Sequence, residues 1–260
     1  MIPDLHDTRT ARALGIAIIV SLVLWQVPYG GFLLYPFKIL ATWIHELAHG
    51  IVMILSGAGF DRMEVYRDGS GLSFAAGATD RVRRALIAPA GYMGTPLFGA
   101  FLLVLGQSVK GARWAIGGVG AALALSALFI VSNPFGQATL AVMGSFLLAL
   151  SALAPPRWAI GGAMLLAAQM CVNAVLDIRV LYRPVMVVDG KVAGGSDAHN
   201  MAEATFGRAE SWGVWFWATV WLAWSLALLY VAVRIVRRRA VTSGAPSTSP
   251  VHPVASSTPP

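Results

Sequence analysis

Long apolar stretches separated by short polar segments dominate the chain. A helix needs about 20 apolar residues to cross the hydrocarbon core of a bilayer, and seven stretches are close to that length. They lie at residues 13–29, 34–56, 85–105, 113–132, 137–153, 158–178 and 212–235. The pattern predicts an all-α polytopic membrane protein with about seven transmembrane helices.

Two of the polar segments are long enough to hold structure of their own. In segment 57–84, short runs at 62–66 and 72–75 flank the turn Asp68-Gly69-Ser70-Gly71. Two short runs around a glycine-rich turn predict a small β-hairpin. Segment 179–211 contains a second candidate hairpin at 185–192.

Composition supports a membrane protein of one domain. Charged residues make up 12% of the chain, about half of the roughly 25% that is typical of soluble domains. The net charge of +7 comes from scattered basic residues and a C-terminal arginine cluster, which suits lipid headgroups and orientation rather than nucleic acid. We expect an N-terminal cytoplasmic segment at 1–12, a transmembrane domain at 13–235, and a disordered tail at 236–260 that is basic and then rich in Ser, Thr and Pro. The lone Cys171 excludes an internal disulfide.

The basic residues also predict an orientation. If the N-terminus lies inside, the segments that hold most of the Lys and Arg before the tail, including 57–84 and 179–211, fall on the cytoplasmic side. Both hairpins are therefore expected to be cytoplasmic. The arginine cluster of the tail falls outside on this count, so the side of the tail stays open. The expected location is a cell membrane, with a multi-pass arrangement.

The most specific motif lies within the second apolar stretch, where the chain reads His45-Glu46-Leu47-Ala48-His49. The i, i+4 spacing projects both imidazoles from one helical face, with the glutamate beside them, which is the pattern of zinc-protease helices. Ionisable groups at membrane depth are costly and usually functional. His45 and His49 are therefore predicted Zn²⁺ ligands, and Glu46 is the predicted general base.

A catalytic zinc site takes three protein ligands and one open position for water. Gln169, Asn173 and Asp177 share one face of the sixth apolar stretch, because they are spaced four residues apart. Asp177 is the candidate third ligand, since it lies near the inner end of that stretch, at a depth similar to the histidines. Asp197, in Ser196-Asp197-Ala198-His199-Asn200, is the rival candidate, although it also suits a helix N-cap.

The motif at 45–49 resembles that of the site-2 protease family of intramembrane zinc metallopeptidases. The run Ala88-Pro89-Ala90-Gly91-Tyr92-Met93-Gly94-Thr95 is similar to the glycine-rich third span of short bacterial members. Asn173-Ala174-Val175-Leu176-Asp177 is similar to the family's helix that brings the third ligand, and Ser196-Asp197-Ala198 resembles a short branch without a PDZ domain. Ile178 stands where the family has a glycine, so the choice between Asp177 and Asp197 stays open.

The resemblance implies hydrolysis of a peptide bond in or near a transmembrane helix of a membrane-bound substrate, as in regulated intramembrane proteolysis. A helix hides its carbonyls in hydrogen bonds, so the substrate must unwind before attack. The hairpin at 62–75 could accept the unwound strand by β-addition, and Asn133 and Asn173 are candidate hydrogen-bonding groups for the substrate backbone. The partners expected are a substrate helix and the lipid bilayer.

The alternative is a non-catalytic membrane protein: a transporter, a scaffold or a zinc-binding sensor. Glu46 favours an enzyme, because a structural zinc site does not need a general base. The interiors of the fourth and fifth apolar stretches are nearly purely apolar, whereas a transporter is expected to carry polar residues along several spans.

Overall fold

The structure is a computed structural model that describes residues 19, 20, 23, 24, 26–182 and 186–243, without the side chains of 193 and 236–243. In chain order the elements are α1 (Gly30–Leu55), β1 (Phe60–Val65), β2 (Gly71–Ala75), α2 (Arg81–Ile87), α3 (Ala90–Leu105), α4 (Val109–Phe129), α5 (Pro134–Leu153), α6 (Pro156–Leu181), β3 (Met186–Val188), β4 (Lys191–Gly194), α7 (Asp197–Phe206) and α8 (Ser211–Ser243).

Within the described part of the chain, six helical segments are long and apolar enough to cross a membrane. They are α1, the consecutive pair α2 and α3, α4, α5, α6 and the portion Ser211–Ile235 of α8. The polytopic all-α prediction is therefore confirmed. The first predicted span, at 13–29, falls mostly outside the described residues.

Helix ends differ from the sequence boundaries for local reasons. Helix α5 begins at Pro134, three residues before the predicted start, because proline is well suited to the first helical position. Helix α4 begins after Ser108, whose side chain accepts a hydrogen bond from the Gly111 N–H. Helix α8 continues to Ser243, eight residues beyond the predicted end, and this extension contains three arginines and an alanine, which are good helix formers. The remaining tail lies outside the described residues.

Both predicted hairpins are present as antiparallel strand pairs, β1 with β2 and β3 with β4. The outer edge of β1 is covered by the segment that joins α4 to α5. The Met63 N–H donates to the Ile130 carbonyl at 2.8 Å, and the Ser132 N–H donates to the Met63 carbonyl at 3.0 Å. The Asn133 amide then pairs with both backbone groups of Val65, at 3.1 and 2.7 Å. This segment therefore occupies the edge of β1 as a third strand would.

The covered edge of β1 leaves β2 as the open edge of the sheet. Met63 lies opposite Ser73, and Val65 lies opposite Gly71. In an antiparallel pair, residues whose backbone groups point away from the partner strand lie opposite residues that do the same. The N–H and C=O groups of Gly71 and Ser73 therefore point away from β1. Both residues also line a cavity beside α1.

Two groups of buried residues hold the helices together. The larger one contains the buried face of α1, including Ile39, Leu40 and Trp43, and packs it against α3 and α6. The second joins α3, α6, α7 and α8 through Tyr92, Ile178, Ala198 and Trp221, among others. Helix α7 also contacts α2, so a short helix far along the chain is held beside α1.

Candidate metal centre and cleft

Two histidine side chains of α1 converge with an aspartate side chain from a segment far along the chain. Asp197 Oδ2 lies 3.1 Å from His45 Nε2 and 3.2 Å from His49 Nε2, and the two nitrogens are 3.0 Å apart. Asp197 is the first residue of α7. Among the described residues, these three form a group that could hold a metal ion.

The donor set and its spacing fit zinc. Two imidazole nitrogens and one carboxylate oxygen are a set that catalytic zinc sites use, with the fourth position open. Metal–ligand distances of about 2.0–2.2 Å put neighbouring corners of a tetrahedron about 3.3–3.6 Å apart. The measured separations of 3.0–3.2 Å are close to that edge length.

The two histidines are oriented by different neighbours. His49 Nδ1 lies 2.9 Å from the Ile87 carbonyl oxygen. A carbonyl only accepts, so Nδ1 carries the proton and Nε2 is left as the ligand atom. The His45 ring stands edge-on to Tyr92, with centroids 4.7 Å apart, and Tyr92 stacks on Trp221 at 5.2 Å.

Helix α3 approaches the metal centre closely at Gly91. A Cβ atom at this position would collide with the His45 ring. Only glycine allows α3 to pass at this distance with the imidazole in place. The glycine-rich stretch of the third span therefore has a structural reason at this residue.

Asp197 is suited to act as an anionic ligand. Burial opposes its ionisation, but the adjacent His49 and His45 outweigh burial and hold the pKa of its carboxyl well below its usual range. The carboxylate is therefore ionised at neutral pH. Helix α7 is not among the segments long enough to span the membrane, so this charge enters the site from a short helix beside the spans.

Glu46 lies between α1 and the open edge of β2. It is buried, and its backbone carbonyl accepts a hydrogen bond from Ser73 Oγ at 2.8 Å. Its side chain runs past Gly71, where a Cβ atom would come within 2.7 Å of Glu46 Cγ. The carboxylate is thus beside both the two imidazoles and the strand edge that a peptide could join.

Two cavities meet at this residue. One, of about 400 Å³, extends toward the C-terminal end of α1 and is lined by His49, Ser73 and Asp197. The other, of about 350 Å³, extends toward the N-terminal end and is lined by Lys38 and Asp177. Both are also lined by His45, Glu46, Gly71 and Met186. The site is therefore a cleft with two arms.

The structure brings together only some of the predicted site residues. His45, Glu46 and His49 line the same arm of the cleft, whereas Asp177 lines only the second arm and is not part of the group formed by His45, His49 and Asp197. Asn173 is buried and its Nδ2 donates to the Phe37 carbonyl at 3.2 Å, which ties α6 to α1. Asn133 is engaged with β1, as described above.

Several groups of the site were missed by sequence reasoning. No sequence pattern indicated that the Ile87 carbonyl would orient His49, because every residue type carries a backbone carbonyl. Tyr92 and Gly91 stood inside the glycine-rich run without an assigned contact. The Gly71–Ser73 edge lay within the predicted hairpin, but the pattern did not indicate which strand would be open.

Comparison with known proteins adds the family. A family model described as peptidase M50B-like matches residues 13–232, a range that includes the two histidines, Glu46 and Asp197. The curated proteins gave no match, and neither did the solved structures. Membership of this family indicates a metallopeptidase embedded in the membrane. The chain belongs to the peptidase M50B-like family, which is the site-2 protease family.

Proposed function

We propose that the chain is a zinc-dependent intramembrane endopeptidase that hydrolyses peptide bonds in or near the transmembrane helices of membrane-bound substrates. One observation carries the proposal: the ligand atoms of His45, His49 and Asp197 converge beside a buried Glu46 within a helix long enough to span the membrane. A metal site of this composition next to a carboxylate suits hydrolysis.

His45, His49 and Asp197 would hold the zinc ion. We assign the third position to Asp197 rather than Asp177, because its oxygen is within 3.2 Å of both imidazole nitrogens. When bound, zinc supplies a Lewis acid that polarises water and the scissile carbonyl. Tyr92 and the Ile87 carbonyl restrict the two rings, so the ligands are oriented before the ion arrives.

Glu46 is the proposed general base. Its carboxylate takes a proton from the attacking water and then passes it to the leaving amine. The Gly71 backbone passes close to the side chain, which limits its motion and keeps it aimed at the cleft. A base held in this way needs little reorganisation during the reaction.

The open edge of β2 is the proposed docking site for the unwound substrate. The outward N–H and C=O groups of Gly71 and Ser73 would pair with the substrate backbone by β-addition. This pairing replaces helical hydrogen bonds that the substrate loses on unwinding. It also sets the scissile bond beside Glu46. The substrate helix and the surrounding lipid are thus the proposed partners.

The proposal is tested by reconstituting the purified protein with a panel of membrane-helix substrates and zinc. Cleavage is expected with the wild-type protein and is expected to be lost in Glu46→Gln, which keeps the shape of the side chain but removes the base. Glu210→Gln is the matched control, since Glu210 is an exposed acid near the start of α8. Full-rate cleavage by Glu46→Gln would reject the protease assignment.

The metal assignment has its own test. Zinc content is measured by elemental analysis of protein purified without chelators. Asp197→Asn is expected to lower zinc occupancy sharply, while Asp177→Asn is expected to retain it. If Asp177→Asn instead loses zinc and Asp197→Asn keeps it, the third ligand is Asp177 of α6. Wild-type protein that takes up no zinc would contradict the zinc assignment itself.

The location proposed is a bacterial inner or plasma membrane, with the two hairpins on the cytoplasmic side. The six apolar helical segments support a multi-pass arrangement. The basic residues of the loops support the cytoplasmic side for the cleft.

A further inference from the structure

The second cavity differs from the first in the charges that line it. Apart from His45 and Glu46, its charged residues are Lys38, Asp68 and Asp177, so one negative charge is in excess. Val180 and Val187 provide apolar wall. A charged cavity within a bundle of apolar helices is costly, and such groups are usually functional.

Two of these three charges have partners within the chain. Lys38 Nζ donates to the Asp68 carbonyl at 2.6 Å. The Asp68 carboxylate accepts a hydrogen bond from the Ser70 N–H at 2.9 Å. Both residues therefore hold the β1–β2 turn against α1, together with Thr42, whose hydroxyl donates to the Gly69 carbonyl at 2.7 Å.

Asp177 is different. Among the described residues, no hydrogen bond or ion pair satisfies its carboxylate, and it faces the cavity that continues to His45 and Glu46. Its face of α6 is directed inward, since Gln169 and Asn173 on the same face are almost fully buried. Lys38 and Arg179 act on this carboxylate electrostatically, but neither pairs with it directly. A bound molecule could supply that direct partner.

Building on the proposed function, we propose that the second cavity is a substrate subsite for a basic side chain. Asp177 is its specificity-determining residue and takes a Lys or Arg of the substrate close to the scissile bond. The cavity holds one long side chain, since 350 Å³ exceeds the volume of a single residue of that size. Its apolar wall suits the methylene stem, and Asp177 receives the charged end.

The subsite fits the proposed docking mode. A strand paired with Gly71 and Ser73 passes Glu46, where the two cavities meet. Side chains of a strand alternate between its faces, so one residue near the scissile bond enters the second cavity. Lys and Arg are abundant at the cytoplasmic ends of transmembrane helices, so substrates that carry the required group close to an apolar span are common.

The test uses one model substrate with a single transmembrane helix. Lys, Glu, Gln and Leu are placed in turn at each position around the cleavage site, and kcat/KM is measured in proteoliposomes. At one position we expect Lys to exceed Leu by about tenfold or more, because a charge-assisted hydrogen bond to a partly buried carboxylate has that effect. Asp177→Asn is expected to abolish this Lys-to-Leu ratio, and Asp177→Lys is expected to reverse it in favour of a Glu substrate.

Asp61→Asn is the matched control, because Asp61 is a half-exposed acid on β1 that does not line the cavity. It is expected to keep the wild-type ratio. Zinc content is measured for each variant. Loss of zinc in Asp177→Asn would make the residue a ligand and overturn the subsite. Equal preference for Lys and Gln would also overturn it, since the subsite would then not recognise charge.

The outcomes separate the subsite from the enzyme. If Glu46→Gln still cleaves, the proposed function fails whatever the substrate preference. If Glu46→Gln is inactive and no position shows a Lys effect, the proposed function stands and the subsite alone is rejected.

Discussion

At the scale of single residues, the site depends on close contacts that leave no room for a side chain. Gly91 allows α3 to approach the His45 ring, and Gly71 allows β2 to approach Glu46. Gly91 therefore protects the proposed metal ligand His45, and Gly71 protects the proposed base Glu46. Substitutions at Gly91 and at Gly71 should therefore affect metal binding and activity separately.

Gly91→Ala is expected to weaken zinc binding about tenfold, because the new methyl group displaces the His45 ring from its ligand position. The measurement is a competition titration of the purified protein against a zinc chelator. Gly118→Ala is the matched control, since a Cβ atom there meets nothing within 4 Å. Equal zinc affinity in Gly91→Ala and Gly118→Ala would show that the close approach of α3 does not control the position of the His45 ring.

Gly71→Ala is expected to keep zinc and lose activity. Its methyl group would lie 2.7 Å from both Glu46 Cγ and Thr42 Cγ2, so the carboxylate shifts. A displacement of about 1 Å in a catalytic group can cost about a hundredfold in rate. The test compares kcat and zinc content with those of Gly118→Ala. A variant with wild-type kcat would show that Glu46 does not need this contact.

At the scale of elements, the position of α7 decides whether Asp197, the proposed third ligand, reaches the histidines. Asp197 begins this helix, and Arg81 of α2 holds its other end by donating from Nη2 to the Thr205 carbonyl at 2.9 Å. Arg81 Nε also donates to the Ala204 carbonyl at 2.5 Å. A guanidinium at a helix C-terminus satisfies carbonyls that lack helical partners. Arg81 is therefore a positioning residue for Asp197.

Arg81→Ala is expected to weaken zinc binding about tenfold, the usual effect of losing an outer support of a metal ligand. The apo protein should unfold at a temperature near that of the wild type, because α7 keeps its packing on α8. Arg81→Lys should recover part of the zinc affinity by donating to one carbonyl. Arg157→Ala, which removes an exposed arginine at the start of α6, is the control.

Unchanged zinc affinity in Arg81→Ala would show that α7 stays in place without its C-terminal contacts. A large fall in the unfolding temperature of the apo protein would instead assign Arg81 a general role in stability. The comparison of affinity and unfolding temperature therefore distinguishes positioning from folding.

At the scale of the whole molecule, the cleft must open toward water, because hydrolysis consumes it. The hairpins that border the cleft carry basic residues, which predicts that they face the cytoplasm. The opposite end of the bundle includes Lys110, at the start of α4. Residues at the two ends should therefore respond differently to reagents that cannot cross the membrane.

Asp61→Cys and Lys110→Cys test this orientation with a membrane-impermeant maleimide. In intact cells, Lys110→Cys is expected to be labelled and Asp61→Cys is not, whereas both are labelled after permeabilisation. The native Cys171 is 7% exposed and should give little background in the unmodified protein. The opposite pattern would move the cleft to the outer face.

Local properties explain what could be predicted from the sequence. Span length, the i, i+4 pair and the glycine-rich turns each depend on residues close together in the chain, so the six spans within the described residues, the helix with the histidine pair and both hairpins were anticipated. The choice of third ligand was not. Periodicity indicated that Asp177 shares a face with Asn173, but it carried no information on which carboxylate lies nearest to the histidines.

The sequence by itself determined that α1 carries two imidazoles and a glutamate inside a bundle of membrane-spanning helices. Only the tertiary structure brought Asp197 to them, across separations of 152 and 148 residues. It also decided that β2 is the open edge, because residues 130–133 cover β1. Contacts of this kind depend on how helices pack, and packing combines surfaces from the whole chain, so no local pattern specifies it.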